Sequence, residues 1–411
     1  VAATRSPALP PRRPRLRLLR ELPWLAAGLG SLAARDALGQ SSVDTRFLFY
    51  KESGGRTQVL NPVLLFRPDL GQNYGQLGLL LGYDAISGAS PTGAYPTSDV
   101  TTSASGHLIN AGSVPQASYT DARKSASLSY ERKFGAHLPS VDISYAKEND
   151  YVARGVGLSD SWTMAQGRGT LHLGAAFSRD LVEPVKNPTT NPGGANLQLD
   201  KSENGFSLGW TWILTERDLI DVSASLMRLS GYLDDPYKVV PVGLTGAETL
   251  PEHRPDTRSR HTLVVKYGHH YLWDGAVKVN YRYYNDDWGI QGHTLEVTYD
   301  QRLFTDWIVS PQVRLYTQTG ASFYGSRFAA ARTLMSADYR LSPLDSVLGG
   351  LTITRKINDA LSVSLGGTIQ TQWGRDRVTP IPTSPTAPLA ASTSAADMTV
   401  LAITAGLHRT F

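Results

Sequence analysis

The 411-residue chain carries 40 Lys and Arg against 36 Asp and Glu, 38 Gly, 24 Pro and no Cys. Without a thiol it has no disulfide framework, no thiolate metal site, no cysteine nucleophile and no covalent c-type haem attachment. Only 18% of residues are charged while aromatics are plentiful (8 Trp, 19 Tyr, 10 Phe), a balance that suits a sheet protein better than a helical one.

Residues 1–39 hold seven arginines and two acids, so the remainder has a formal charge of −1 and the basic balance is no sign of nucleic-acid binding. A basic stretch to Arg20, an apolar run Leu22–Ala34 and small residues around Ala37 read as a cleaved signal peptide over 1–39. The 13-residue run is too short to cross a bilayer as a helix. Near the other end, the uncharged stretch Val378–Ala396 is interrupted by Pro380, Pro382, Pro385 and Pro388, which no helix interior tolerates.

Residues 40–411 repeat one pattern. Segments at 43–53, 56–67, 76–87, 121–134, 138–151, 155–167, 169–181, 202–214, 219–231, 258–271, 276–286, 290–303, 307–319, 346–356, 361–373 and 397–411 alternate apolar and polar residues. In 294–302, Leu295, Val297 and Tyr299 alternate with Thr294, Glu296, Thr298, Asp300 and Arg302. Period two means strands with one apolar and one polar face. The region 329–345 reads equally as strand or loop, so 14–18 strands are expected, with sixteen the best count.

Short connections such as Thr215–Asp218 and Phe304–Asp306 alternate with long ones such as Val182–Leu199 and Leu233–Thr257. Aromatics crowd the short-turn ends at Phe134, Tyr271, Trp273, Phe304 and Trp307. These features predict an all-β fold: a single antiparallel transmembrane β-barrel in the cell outer membrane, with short periplasmic turns and long extracellular loops. Its expected partners are outer-membrane lipids and the barrel-assembly machinery, for which the terminal Phe411 on an amphipathic strand with Leu407 would be the signal.

If the apolar face meets lipid, Lys278, Arg282, Glu296, Asp300, Arg302 and Arg314 project into the lumen. The turn at 304–306 sets Glu296 opposite Arg314, and the turn at 285–290 sets it beside Asn280, so an internal ion-pair lattice is expected. Solvated charges in a water-filled channel are the plainer reading. Mixed signs are unlike the charge ladder of a simple diffusion pore and favour a plugged or partner-filled barrel.

At the outer rim, Asp234, Asp235, Tyr237 and Lys238 form one acidic turn, and Asp286, Asp287 and Trp288 another. Both are ordinary turn chemistry. They could also contact a partner or a Ca²⁺ ion through oxygen ligands, or serve with His293 as the acids of a barrel hydrolase. His269 and His270 are adjacent on a strand and so face opposite ways, which excludes shared metal ligation. No phosphate-binding glycine loop and no basic-aromatic nucleic-acid surface occur. No intrinsic cofactor, catalytic residue or metal site is expected.

Five segments carry a resemblance: VDTRFLFYKESGGR (Val43–Arg56), ISGASP (Ile86–Pro91), LDDPYK (Leu233–Lys238), YRYYNDDWGIQGHTLEVTYDQRL (Tyr281–Leu303) and ADYRL (Ala337–Leu341). With them the chain resembles a family of uncharacterised bacterial outer-membrane barrels, a domain family of unknown function. The family more often has Thr-Gly-Ala-Ser-Pro where this chain begins Ile86-Ser87. Members are commonly encoded beside a small lipoprotein, thioredoxin-like proteins and an enzyme that attaches flavin to exported proteins. The resemblance therefore implies a conduit, sleeve or scaffold for a redox lipoprotein partner in extracellular electron transfer. A general pore or transporter for small solutes is the alternative.

Overall fold

The computed structural model describes residues 40–71, 74–94, 101–102, 108–109, 114–184, 197–246, 248–380 and 391–411. The segment expected to be a signal peptide lies outside them.

Sixteen antiparallel strands close into one barrel. They are β1 (Ser42–Glu52), β2 (Gln58–Arg67), β3 (Gln76–Pro91), β4 (Gln116–Glu131), β5 (Ser140–Lys147), β6 (Tyr151–Met164), β7 (Gly169–Val182) and β8 (Leu199–Ile213). Then follow β9 (Asp218–Gly231), β10 (Thr257–His270), β11 (Gly275–Asp286), β12 (Gln291–Leu303), β13 (Trp307–Gln318), β14 (Leu344–Asn358), β15 (Leu361–Gly374) and β16 (Met398–Thr410). Each pairs with its neighbours in sequence, and β1 pairs with β16 from Ser42↔Thr410 to Glu52↔Val400, so no edge is left open. Closure satisfies the wall's backbone hydrogen bonds internally, the condition for crossing a hydrocarbon layer with strands.

The period-two pattern sets which way the wall faces. Leu128, Ile143, Leu158, Leu173, Phe206, Leu226, Leu365 and Ile369 are all exposed large apolar residues, while their strand neighbours point the other way. Such a continuous apolar exterior is unsuited to water, and it is what acyl chains solvate. Phe134, Trp273, Phe304 and Trp307 are exposed beside the turns of the rim that carries Ser42 and Thr410, as an interfacial girdle requires. The protein is an outer-membrane barrel.

Strand boundaries depart from the sequence reading where polarity hides the period. The β3–β4 ladder continues to Pro91↔Gln116, so that connection shrinks to 92–115. The extension runs through Ser87, Gly88 and Ser90 opposite Thr120, Tyr119 and Ala117, where no apolar alternation marks a strand. β5 stops at Lys147 and β6 starts at Tyr151, because Glu148-Asn149-Asp150 is a tight turn closed by Glu148 N–H to Tyr151 C=O at 2.8 Å. The extracellular rim is therefore mixed. It carries three tight turns (53–57, 148–150, 287–290) among five long connections (92–115, 183–198, 232–256, 319–343, 375–397). The ambiguous region 329–345 is loop up to the start of β14 at Leu344, with a 3₁₀ turn at Tyr339–Leu341.

Inward faces differ around the wall. From β4 to β8 they carry small residues in the middle of the wall, among them Ser125, Ser127, Ser144, Gly155, Gly157, Gly174 and Ser207, with charged residues such as Asp121, Arg123, Asp180, Lys201 and Glu203 toward the extracellular end. From β10 to β13 they carry long charged side chains. The buried apolar core is displaced from the wall into the extracellular loops. One cluster joins Val240, Val242, Phe328, Met335 and Ala337. A second joins Trp288, Ile290, Ala321, Phe323 and Leu341.

Candidate functional site

The loops that hold this core meet in a knot of six charged side chains. It starts in the β9–β10 connection, where Pro236 fixes a turn and the Asp235 carboxylate accepts the Tyr237 N–H at 3.0 Å. The chain then forms a two-stranded hairpin, Val239–Val242 with Glu248–Pro251, whose return leg delivers Glu252 and Arg254. Glu252 accepts the Asp235 N–H at 2.6 Å and the Ser336 hydroxyl at 2.5 Å.

The β13–β14 connection supplies the other half. Asp338 accepts its own turn's Arg340 N–H at 3.1 Å, which caps the 3₁₀ turn and aims the side chain of Arg340. Arg340 grips both oxygens of Asp338 through Nε at 3.0 and 2.8 Å, and reaches Asp235 through Nη2 at 2.9 Å. Arg254 bridges Glu252 at 2.7 Å and Asp338 at 2.9 Å. With Lys238 these are three cations and three carboxyl groups, nearly all buried: Lys238 is 2% exposed and Asp338 1%. Mutual neutralisation and charge-assisted bonds make such burial tolerable.

Burial acts on each ionisation. It pushes the Glu252 carboxyl up to about 7, against the pull of Arg254. Burial would also raise Asp338, but Arg340, Lys238 and Arg254 together hold it below the usual carboxylate range. Burial lowers the Lys238 ammonium, with Asp338 and Asp235 opposing.

The knot is tied to the wall at distant points. The Lys238 ammonium donates to Ser90 Oγ at 3.0 Å and to the Pro91 carbonyl, both at the end of β3, six strands from its own loop. Gly93 lets the hairpin dock there. Its φ of +92° is left-handed, and a Cβ would strike the Val239 carbonyl, whose N–H bonds Thr92 C=O at 2.9 Å. The Tyr237 hydroxyl donates to Asp150 of the β5–β6 turn at 2.5 Å. The Tyr339 ring lies under Arg56 of the β1–β2 turn, 5.6 Å from ring centroid to guanidinium. Gln318 donates to the carbonyls of Arg340 and Ser342, and Arg375 donates to the Gln318 carbonyl. Loops from opposite sides of the barrel thus latch together across its extracellular mouth.

Four of the five sequence segments that carried the family resemblance, those containing Arg56, Ser90, Lys238 and Arg340, converge on this latch. The fifth supports it from the side. Asp286 takes Arg258 Nε and Nη2 at 2.9 and 2.6 Å, the Tyr284 hydroxyl at 2.6 Å and the N–H groups of Trp288 and Ile290. Trp288 stacks on Arg258 at 4.2 Å.

Asp235 and Asp286 are consumed by arginines and turn N–H groups, and Asp234 is held by the Arg254 N–H and by His253 at 3.1 Å, so the paired acids of the rim do not converge as cation ligands. Asp287 accepts the Ser259 N–H at 2.9 Å. His293 does not serve Asp286 or Asp287 as a hydrolytic partner. It lies on the outward face of β12 and bonds the Tyr281 hydroxyl at 2.7 Å, whereas Asp286 points inward.

In the lumen, the register sets Glu296 opposite Arg314 and opposite Asn280. The bonds are distributed otherwise. Lys278 pairs with Asp300 at 2.5 Å, Arg314 donates to Gln370 at 2.9 Å, and Arg282 lies over the Tyr284 ring at 5.8 Å. Arg302 is exposed near the periplasmic rim, as are Leu407 and Phe411. Sequence reasoning missed Glu252, Arg254, Asp338 and Arg340 as a site; Asp338 and Arg340 had one signal, their place in the ADYRL segment that carried the resemblance, and Glu252 and Arg254 had none.

A family described as protein of unknown function (DUF3570) matches residues 28–373. No curated protein matches. Among solved structures, a bacterial polysaccharide outer-membrane secretin aligns with TM-score 0.48 at 10% identity, over 92% of this chain and 100% of that one. The siderophore receptor PirA from Pseudomonas aeruginosa aligns with TM-score 0.44 at 10% identity, over 91% of this chain and 62% of the receptor. An anion-selective porin from Comamonas acidovorans aligns with TM-score 0.37 at 10% identity, over 90% and 98%. These values transfer no property, and the barrel assignment rests on strand closure and the apolar exterior.

Proposed function

The chain belongs to the DUF3570 family of proteins of unknown function, and from that premise we propose that it works as a non-enzymatic sleeve: a barrel latched at its extracellular mouth that houses a partner entering from the periplasm. The observation that carries this reading is the latch, in which Lys238, Asp235, Asp338 and Arg340 tie loops from opposite sides of the wall. A pore built for free diffusion has no use for a buried, charge-balanced tie across its opening. The small inward residues of β4–β8 leave that side of the bore open to an occupant, and the short periplasmic turns offer it entry. The chemistry suggested by the family resemblance makes a small redox lipoprotein the candidate occupant, with this cysteine-free chain as its sheath.

A second reading, a pore for small solutes, is favoured by one observation: the Lys278 side chain remains 64% exposed to the lumen despite its pairing with Asp300. Purified barrel in planar bilayers, together with affinity purification from native outer membranes, separates the two. The sleeve reading expects little conductance from the protein alone and a copurifying lipoprotein. Steady ohmic conductance without a partner, and no lipoprotein, would sink it in favour of the pore.

A further inference from the structure

Below the latch, three carboxylates outside the charge knot converge. We propose that Asp121, Glu148 and Asp150 form a binding site for a hard divalent cation, Ca²⁺ by its donor set, inside the extracellular end of the wall. Each contributes one oxygen within 4.8 Å of the other two, and the residues are 4%, 7% and 8% exposed.

Local structure brings them together. Asp121 is on the inward face of β4. The last β4–β5 pair toward that rim is Lys124↔Lys147, so Asp121 stands level with the turn that follows β5. Glu148 and Asp150 bracket that turn, and Asp150 C=O accepts the Glu183 N–H at 2.7 Å. The carboxylates are therefore held by backbone geometry rather than by flexible loop ends.

A second observation points to a ligand. Asp121 Oδ1 is occupied by the Ala122 N–H at 2.8 Å and the Asn149 amide at 2.5 Å, but Asp121 Oδ2 is buried with no hydrogen bond. A buried carboxylate oxygen without a partner is costly. Arg123 does not relieve it: the guanidinium Nε lies 3.8 Å from Glu148 and is itself buried without a hydrogen bond. A cation beside Asp121 Oδ2 would satisfy that oxygen and offset the mutual repulsion of the three acids.

The donor set selects the ion. It holds only oxygens, with neither imidazole nor sulfur, which suits Ca²⁺ or Mg²⁺ and not zinc or copper. Between these two, Mg²⁺ demands near-ideal octahedral geometry and keeps several waters, whereas Ca²⁺ accepts an irregular cage of carboxylates, which favours Ca²⁺ here. Tyr237, whose hydroxyl bonds Asp150, extends the site's influence to the latch. This site does not depend on the sleeve reading, since a pore would hold it equally.

The test uses the full-length folded barrel in detergent, stripped with EDTA and titrated with CaCl₂ in a calorimeter. Gel mobility of heated samples reports the unfolding temperature alongside. Wild type should bind Ca²⁺ saturably and unfold at a higher temperature in CaCl₂ than in EDTA. Asp121→Asn keeps the shape, removes one repelling charge and should fold. It should bind Ca²⁺ at least tenfold more weakly and lose the CaCl₂ dependence. Asp287→Asn, at an acid engaged elsewhere, should bind as wild type does. No saturable binding by wild type, or undiminished binding by Asp121→Asn, overturns the site, and equal affinity for MgCl₂ overturns its assignment to Ca²⁺.

Discussion

Asp338 receives two arginines and sits near a third cation, Lys238, in a volume that water does not reach. Asp338→Asn leaves three cations facing two carboxyl groups, and breaking one partner of such a buried pair costs about 3–5 kcal/mol. Bilayer recordings should show the variant conducting more than wild type, and protease should cut within 319–343 sooner. Arg340→Lys should show part of the same effect, because an ammonium cannot replace a guanidinium that grips both oxygens of Asp338 and reaches Asp235. Glu252 adds a pH dependence. Burial raises its carboxyl from 4.5 to about 7, so the latched state holds a proton that the open, solvated state has released between those values. This contribution to latching is full below about pH 4.5 and is lost as pH rises to about 7. Conductance should increase between pH 4.5 and 7, and Glu252→Gln should flatten the change. None of these pairings was legible in the sequence. Asp235 and Arg340 are 105 positions apart, and nothing local distinguishes a loop acid that finds an arginine from one that faces water.

Strands were far more legible, because an alternating segment of about ten residues carries its own evidence for orientation. All sixteen wall strands coincide with period-two segments, and the turn at 304–306 was enough to pair Glu296 with Arg314. Register does not dictate bonding, however: Arg314 turns away from Glu296 and reaches across β14 to Gln370 on β15. Where polarity overrode the period, as in Ser87–Pro91 or the Glu-Asn-Asp turn, boundaries moved by several residues. Orientation can be tested with one neighbouring pair. Val297 faces outward in mid-β12 and Thr298 inward. Val297→Arg places a cation among acyl chains and should destabilise the barrel by about 2–4 kcal/mol. Thr298→Arg should be tolerated. Urea titration of barrels refolded in lipid vesicles distinguishes them, and equal effects would contradict the assigned facing.

For the whole molecule, what matters is that the two ends of the cylinder are built differently. The periplasmic rim has only short turns, while the extracellular rim holds the apolar clusters and the charge knot. A variant lacking 321–337 should still insert and resist unfolding in sodium dodecyl sulfate at room temperature, since the wall's ladder is complete without it. It should lose the latch and conduct. Failure to insert would mean that the loops take part in assembling the wall.

The tie from Lys238 to the end of β3 also has a mechanical consequence. A sixteen-strand tube is a thin shell, free to flatten toward an ellipse with little change in its hydrogen bonds. A strut anchored six strands away fixes the width of the shell at that end and leaves the opposite end compliant. Lateral pressure from the bilayer would therefore be resisted near the cell surface, while the inner opening adapts its outline to whatever enters it.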